Sequence, residues 1–243
     1  MASIGDLLGL ISVYAYVSLV VLIASRARMK WPGKGVFRKA VHILVGNIVF
    51  IWWAFDSSLI MSFLAAAPFA LLLLLISPIS PVRVLDGSLL EEASAEGHSY
   101  GLVFYAVSWS VLALVLFNDR LAASIAIAAM AYGDGIGGLV GKRYGRRRSW
   151  REKSWAGTGA VALVTFLATL VVIAFYTQLG SLRQGLNVFP YTIAQAFGLA
   201  ALSGGFVAFV EMLSPGAYDN LIVPLLTAGL VVTVQFMLSG GLW

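Results

Sequence analysis

The chain contains no cysteine. Disulfides, thiolate zinc sites and cysteine nucleophiles are therefore excluded. Charge is nearly as scarce. Only 11% of the 243 residues are Asp, Glu, Lys or Arg, against roughly 25% in a soluble domain. So few charges cannot clothe a soluble surface, and a soluble globular fold is excluded. Histidine occurs twice, at His42 and His98. No basic residue precedes the first apolar run, and Arg26, Arg28, Lys30 and Lys34 follow it. That is a stop-transfer pattern, so the run is expected to be a retained span and not a cleaved signal. Two nucleotide signatures are also missing. Gly133, Gly135 and Gly138 spell G-x-G-x-x-G, but no strand precedes them and no βαβ unit fits. Gly141-Lys142 is followed by Arg143, where a P-loop needs Ser or Thr.

What the chain has is apolar length. Sixty per cent of its residues are hydrophobic and its mean hydropathy is +0.92. The runs are continuous, unlike the alternating strands of about ten residues in a membrane β-barrel. They predict an all-α, polytopic membrane helix bundle. Eight spans, with seven as the alternative, are expected near Ile4–Ala24, Val41–Phe55, Leu59–Ile76, Tyr100–Phe117, Leu121–Gly141, Gly157–Leu179, Thr192–Leu213 and Leu221–Leu238. The second is short and is expected to begin earlier, near Phe37, or to tilt. Little is left over for a soluble domain, so one integral membrane domain covering 1–243 is expected, with its motif-bearing core at 38–224.

Basic residues set the orientation. Arg26, Arg28, Lys30, Lys34, Arg38 and Lys39 lie after the first span, Arg83 after the third, and Lys142, Arg143, Arg146, Arg147, Arg148, Arg151 and Lys153 after the fifth. With eight spans these loops share one face, which then holds 14 of the 16 basic residues; Arg120 and Arg183 are on the other. The loops are expected in the cytoplasm and both termini outside. The net charge of +5 then belongs to the cytoplasmic face, where it favours anionic lipid.

Five polar clusters exceed what topology requires, and all map to that face. Arg38, Lys39 and His42 enter the second span; Arg38 and His42, at i,i+4, share a helix face. Glu91, Glu92, Glu96 and His98 precede the fourth. Asp134 is the one acid between Leu121 and Gly141, set among five glycines. The Gly133, Gly137, Gly141 repeat suits helix packing, but packing does not explain a carboxylate among them. Lys153-Ser154-Trp155-Ala156-Gly157-Thr158 opens the sixth span, and a helix start with free N–H groups beside a lysine suits an anion. Glu211 closes the seventh span, and Asp219-Asn220 opens the eighth. Intramembrane charges are costly and mark function. Carboxylates at Asp134, Glu211 and Asp219 beside Lys and Arg suggest a metal–phosphate site, since magnesium takes one or two carboxylates plus phosphate oxygens. With an apolar bundle to admit a lipid, this points to phosphoryl or nucleotidyl transfer to a membrane lipid. Nothing points to a nucleic-acid partner, and no oligomeric state is predicted.

The order Arg38-Lys39…His42, Glu91/Glu92…Gly97-His98…Gly101, Gly133-Asp134…Gly138…Gly141…Gly145, Lys153-Ser154-Trp155-Ala156-Gly157-Thr158, Glu211…Asp219-Asn220…Pro224 resembles the polyprenol kinase family. That family includes dolichol kinases, phytol kinases and a CTP-dependent diacylglycerol kinase. The Lys-Ser-Trp-Ala-Gly-Thr run is most similar to the phytol kinase branch, which commonly has Ser where Thr158 stands. The resemblance implies Mg2+-dependent transfer of the γ-phosphate of a nucleoside triphosphate, typically CTP, to an isoprenoid alcohol. It implies that Asp134 holds magnesium. Lys153, Ser154, Gly157 and Thr158, with Gly138 beside them, would hold phosphates. Glu211, Asp219 and Asn220 would complete the nucleotide–metal site. Arg38, Lys39 and His42 would face the phosphates or the lipid hydroxyl. Candidates to accept the alcohol proton are His98, Glu92, His42 and Asp134. A lipid cytidylyltransferase would be expected to carry paired aspartates after the Gly-Asp, which are missing here. A transporter would place polar groups at the midplane in repeats, whereas here they crowd one face.

Overall fold

The computed structural model describes residues 2–30, 36–77, 100–147, 153–183 and 185–241. Among the described residues there are helices and no β-strand. Six helical segments are long and apolar enough to cross a membrane: Ile4–Lys30, Phe37–Ala54, Arg120–Tyr144, Trp155–Leu182, Ile193–Leu213 and Asp219–Leu238. Two apolar helices, Ile60–Ile76 and Gly101–Val115, are shorter. These eight coincide with the eight expected runs, and the protein is an integral membrane helix bundle. The second run does begin near Phe37. Its first part is α-helical and its last nine residues wind mainly as two 3₁₀ turns, Gly46–Phe50 and Trp52–Ala54. A 3₁₀ turn rises about 2.0 Å per residue against 1.5 Å in an α-helix, so this winding lengthens a run that looked short.

The chain packs as two compact units, Met1–Val115 with Pro215–Leu221, and Leu116–Ser214 with Ile222–Trp243. In unit 1, α1 (Ile4–Lys30), α2 (Val36–Val45), α3 (Ala67–Ile76, entered through a π-helical turn at Ile60–Ala66) and α4 (Gly101–Val115) pack together. Ala24, Phe37 and Leu102 are buried against Val21, Ala40, Val41 and Leu73. The one acid of α1 has a structural explanation. Asp6 Oδ1 accepts the N–H groups of Asp56 and Ser57, both at 3.0 Å, and Asp6 Oδ2 accepts that of Ser3 at 3.1 Å. The buried carboxylate is thereby satisfied and ties the start of α1 to the 56–57 loop.

In unit 2 the central element is one long helix in three pieces. These are α5 (Arg120–Ala128), a π-helical turn (Ala129–Asp134) and α6 (Gly135–Tyr144). It is followed by α7 (Trp155–Leu182) and α8 (Ile193–Leu213); α9 (Asp219–Leu238) starts in unit 1 and runs into unit 2. Two-thirds of the hydrophobic window of Arg120–Tyr144 is buried, against 22% for α1. The alanines that make this helix weakly hydrophobic also let neighbours approach on all sides, so it is the inner helix of its unit. The start of α8 is fixed by a capping box, in which Thr192 Oγ1 accepts the Gln195 N–H and Gln195 Oε1 accepts the Thr192 N–H.

The four-residue glycine repeat is where this inner helix meets α7. A Cβ on Gly137 would overlap Val161 Cγ2, one on Gly157 would stand 3.1 Å from the Gly137 carbonyl oxygen, and one on Gly133 2.5 Å from Thr165 Oγ1. The glycines thus allow close backbone approach, as their spacing suggested. Gly137→Val is expected to lower the melting temperature of the detergent-solubilised protein, as overpacking costs about 1–3 kcal/mol. Gly159→Ala, whose Cβ would meet open space, is the comparison variant and is expected to leave it within about 0.5 kcal/mol of the parent. Equal melting temperatures for both variants would contradict this packing.

Candidate active site

The inner helix carries two adjacent stripes at four-residue spacing. Gly133, Gly137 and Gly141 face α7. One residue further round, Asp134, Gly138 and Lys142 line a cavity of about 480 Å3. Asp134 is the last residue of the π-helical turn. A π-bulge shifts the register of the following turn, and such bulges are frequent at functional sites.

The opposite wall comes from the start of α7. Ser154 is its N-cap, and its Oγ accepts the Gly157 N–H at 3.2 Å. The Thr158 N–H donates to the Ser154 carbonyl at 2.8 Å and the Trp155 N–H to the Arg147 carbonyl at 3.2 Å. The N–H groups of Trp155, Gly157 and Thr158, expected to be free for an anion, are therefore engaged within the fold. What the turn offers the cavity is the Thr158 hydroxyl, which is buried and has no hydrogen-bond partner among the described residues. Ser154 acts as the cap that shapes the turn, worth about 1 kcal/mol. Its hydroxyl also packs on the glycine stripe, 3.0 Å from where a Cβ on Gly141 would stand.

The third wall is Glu211, in the last turn of α8 and 4% exposed. Lys153 Nζ donates to Glu211 Oε1, forming an ion pair between residues 58 apart in sequence. Asp134 lines the same cavity as Glu211. Two carboxylates and two lysines, Lys142 and Lys153, thus face one space.

Asp134, Gly138, Lys153, Ser154, Gly157, Thr158 and Glu211 are thereby brought together in unit 2. Arg38, Lys39, His42, Asp219 and Asn220 belong to unit 1. There the Asn220 side-chain amide donates to the Gly101 carbonyl at 3.0 Å, and the Asn220 main-chain carbonyl accepts the Ser108 hydroxyl at 2.8 Å. Asn220 therefore ties the start of α9 to α4. The Arg38 guanidinium lies against Gly101, where a Cβ would stand 2.9 Å from Nη2. His42 is buried edge-on to Tyr105. Glu92 and His98 lie outside the described residues. Lys142 is the cavity residue that sequence reading assigned only to topology. Its place two turns after Asp134, with Gly138 midway, is the signal that marks it.

The donor set fits magnesium carried by a nucleotide. Among the described residues no three of His, Cys, Asp or Glu gather as a metal cage. Two carboxylates do share the cavity, and Mg2+ is commonly held by one or two carboxylates plus substrate phosphates. Asp134 and Glu211 are the residues that would hold it.

Comparison with known proteins gives the class to which this polytopic membrane protein belongs. The chain is 34% identical over 217 residues to a phytol kinase from Synechocystis sp., covering 86% of this chain and 84% of that one. It is 27% identical over 217 residues to the chloroplastic phytol kinase 1 of Arabidopsis thaliana, covering 86% and 70%. It is 27% identical over 222 residues to a probable chloroplastic phytol kinase of Triticum aestivum, covering 84% and 67%. No protein-family model matches, and no solved structure does. The chain belongs to the phytol kinase branch of the polyprenol kinase family, and is accordingly a kinase with an alcohol acceptor.

Proposed function

We propose that the protein transfers the γ-phosphate of CTP, with Mg2+, to the hydroxyl of an isoprenoid alcohol of the phytol class, at the cytoplasmic face of the membrane. The observation that carries this reading is the gathering of Asp134, Glu211, Lys142, Lys153 and Thr158 around one cavity, in a chain whose relatives are named phytol kinases. Phosphoryl transfer rests on positioning and charge stabilisation more than on covalent chemistry. Lys153 and Lys142 neutralise phosphate charge, the Thr158 hydroxyl donates to a phosphate oxygen, and the capped start of α7 turns its positive dipole end toward the anion. Asp134 and Glu211 would hold magnesium, which when bound would offset charge on the phosphates. His42 and Asp134 are the described candidates for accepting the alcohol proton.

A nucleotide and acceptor panel tests the reading. Purified protein with Mg2+ is expected to phosphorylate phytol and geranylgeraniol from CTP, and chelation of the divalent cation is expected to abolish turnover. Turnover unaffected by chelation, or a panel in which every nucleotide serves equally, would contradict the proposed donor complex.

The proposed orientation has its own test. Because the chain lacks cysteine, single Asn187→Cys and Arg147→Cys variants each provide one labelling site. In intact cells a membrane-impermeant maleimide is expected to label the Asn187 variant, and to reach the Arg147 variant only after permeabilisation. Labelling of both from the same side would remove the eight-span orientation.

A further inference from the structure

Unit 1 contains a second cavity, of about 420 Å3, walled by α1, α2, α3 and α4. That volume is within the roughly 300–1,000 Å3 of small-molecule sites. Its character is opposite to that of the Asp134 cavity. Among the described residues no Asp, Glu, Lys or Arg lines it; its walls are residues such as Val21, Val45, Phe69, Leu73 and Leu102. Its aromatic side is built from Phe69 stacked on Trp109, with ring centroids 5.8 Å apart. Trp109 is 1% exposed, and its indole N–H is buried with no acceptor among the described residues. Leu22 and Leu72, also in the lining, are exposed on the apolar outer surface. The cavity therefore communicates with the surface that faces lipid.

One wall is polar. His42 lines the cavity beside Tyr105. One helical turn before it on α2, Arg38 reaches Gly101, whose carbonyl accepts from Asn220. An amphiphile whose body is hydrocarbon and whose single head is a hydroxyl matches this gradient. The chain would lie among the valines, leucines and aromatics, with the hydroxyl toward His42. We infer that this unit 1 cavity holds the hydrocarbon chain of the isoprenoid alcohol, entered from the bilayer past Leu22 and Leu72. The inference rests on the kinase reading above and adds the place and orientation of its acceptor.

Photo-crosslinking locates the chain without requiring turnover. Wild-type protein in lipid nanodiscs, without nucleotide, is illuminated with a 20-carbon isoprenoid alcohol bearing a diazirine near its tail, and the labelled peptides are mapped. Labelling on α1–α4 of unit 1, reduced by excess phytol, is expected. Two variants narrow the cavity: Ser18→Trp at an exposed lining position and Val45→Phe at a half-buried one. Both are expected to weaken labelling. With CTP supplied, both are expected to raise KM for phytol by about tenfold or more, the range in which an apolar pocket discriminates, while KM for CTP stays at the wild-type value. If one variant fails to fold, the other and the wild-type map still decide. Labelling on unit 2, or labelling of α1–α4 that neither phytol nor the variants reduce, overturns the inference while leaving the kinase reading intact. Absence of alcohol phosphorylation by the wild type overturns the kinase reading, and this inference falls with it.

Discussion

Asp134→Asn is expected to fold and insert normally and to lose at least a hundredfold in kcat/KM at saturating magnesium. The substitution keeps the shape of a side chain at the end of the π-helical turn and removes its charge. Losing a main carboxylate ligand costs several kcal/mol of transition-state stabilisation, at about 1.4 kcal/mol per tenfold. The position favours a functional over a structural reading. Asp6, the other intramembrane aspartate described above, is satisfied by the backbone N–H groups of Ser3, Asp56 and Ser57, and its removal would be felt in stability. Asp134 instead lines the polar cavity with Glu211 and Lys153. Steady-state rates across a magnesium titration, with a melting curve for each variant, check this. If the Asn variant keeps more than about a tenth of wild-type turnover, a 1.4 kcal/mol effect or less, the metal assignment must move to Glu211.

Lys153 has the second largest expected effect, and the structure makes it a two-part experiment. Lys153→Ala removes a cation proposed to hold phosphate, so KM for nucleotide is expected to rise at least tenfold, about 1.4 kcal/mol. It also strips a buried carboxylate, Glu211, of its part-buried ion-pair partner, for which the roughly 3–5 kcal/mol of a fully buried pair is the upper bound. Its melting temperature should therefore fall. Lys153→Ala combined with Glu211→Gln removes the orphaned charge. The double variant is expected to regain much of the lost thermal stability while its nucleotide KM stays high. Recovery of both together would mean that Lys153 serves the fold alone.

The spans were legible because the bilayer demands about 20 apolar residues for each helix, and eight such runs stand out against very few charges. Asp134 and Glu211 are legible as candidates because a charge stands out in such a background, and Lys153 because it sits beside a helix start. Their pairing was not legible. Lys153 and Glu211 meet across 58 residues through the packing of α7 on α8, and no local pattern encodes it. The π-helical turn that carries Asp134 was hidden because Ala129–Gly133 has no amphipathic periodicity to break. The glycine stripe is legible as packing, but its neighbour at 134, 138 and 142 mixes an acid, a glycine and a base, so Lys142 is indistinguishable in sequence from the basic loop residues that follow it. Ser154 shows the converse. Its type and place suggested phosphate contact, and locally the serine caps its own helix.

The central claim is transfer of a terminal phosphate to a lipid alcohol. Its most direct test is one incubation of the purified protein with phytol and magnesium, run once with CTP radiolabelled at the γ-phosphate and once at the α-phosphate, followed by separation of the lipid. The account predicts label in the lipid from the γ-position alone, with CDP formed in equal amount. Label reaching the lipid from the α-position would show nucleotidyl transfer, and no label from either position would show that the alcohol is not the acceptor; either result contradicts the account.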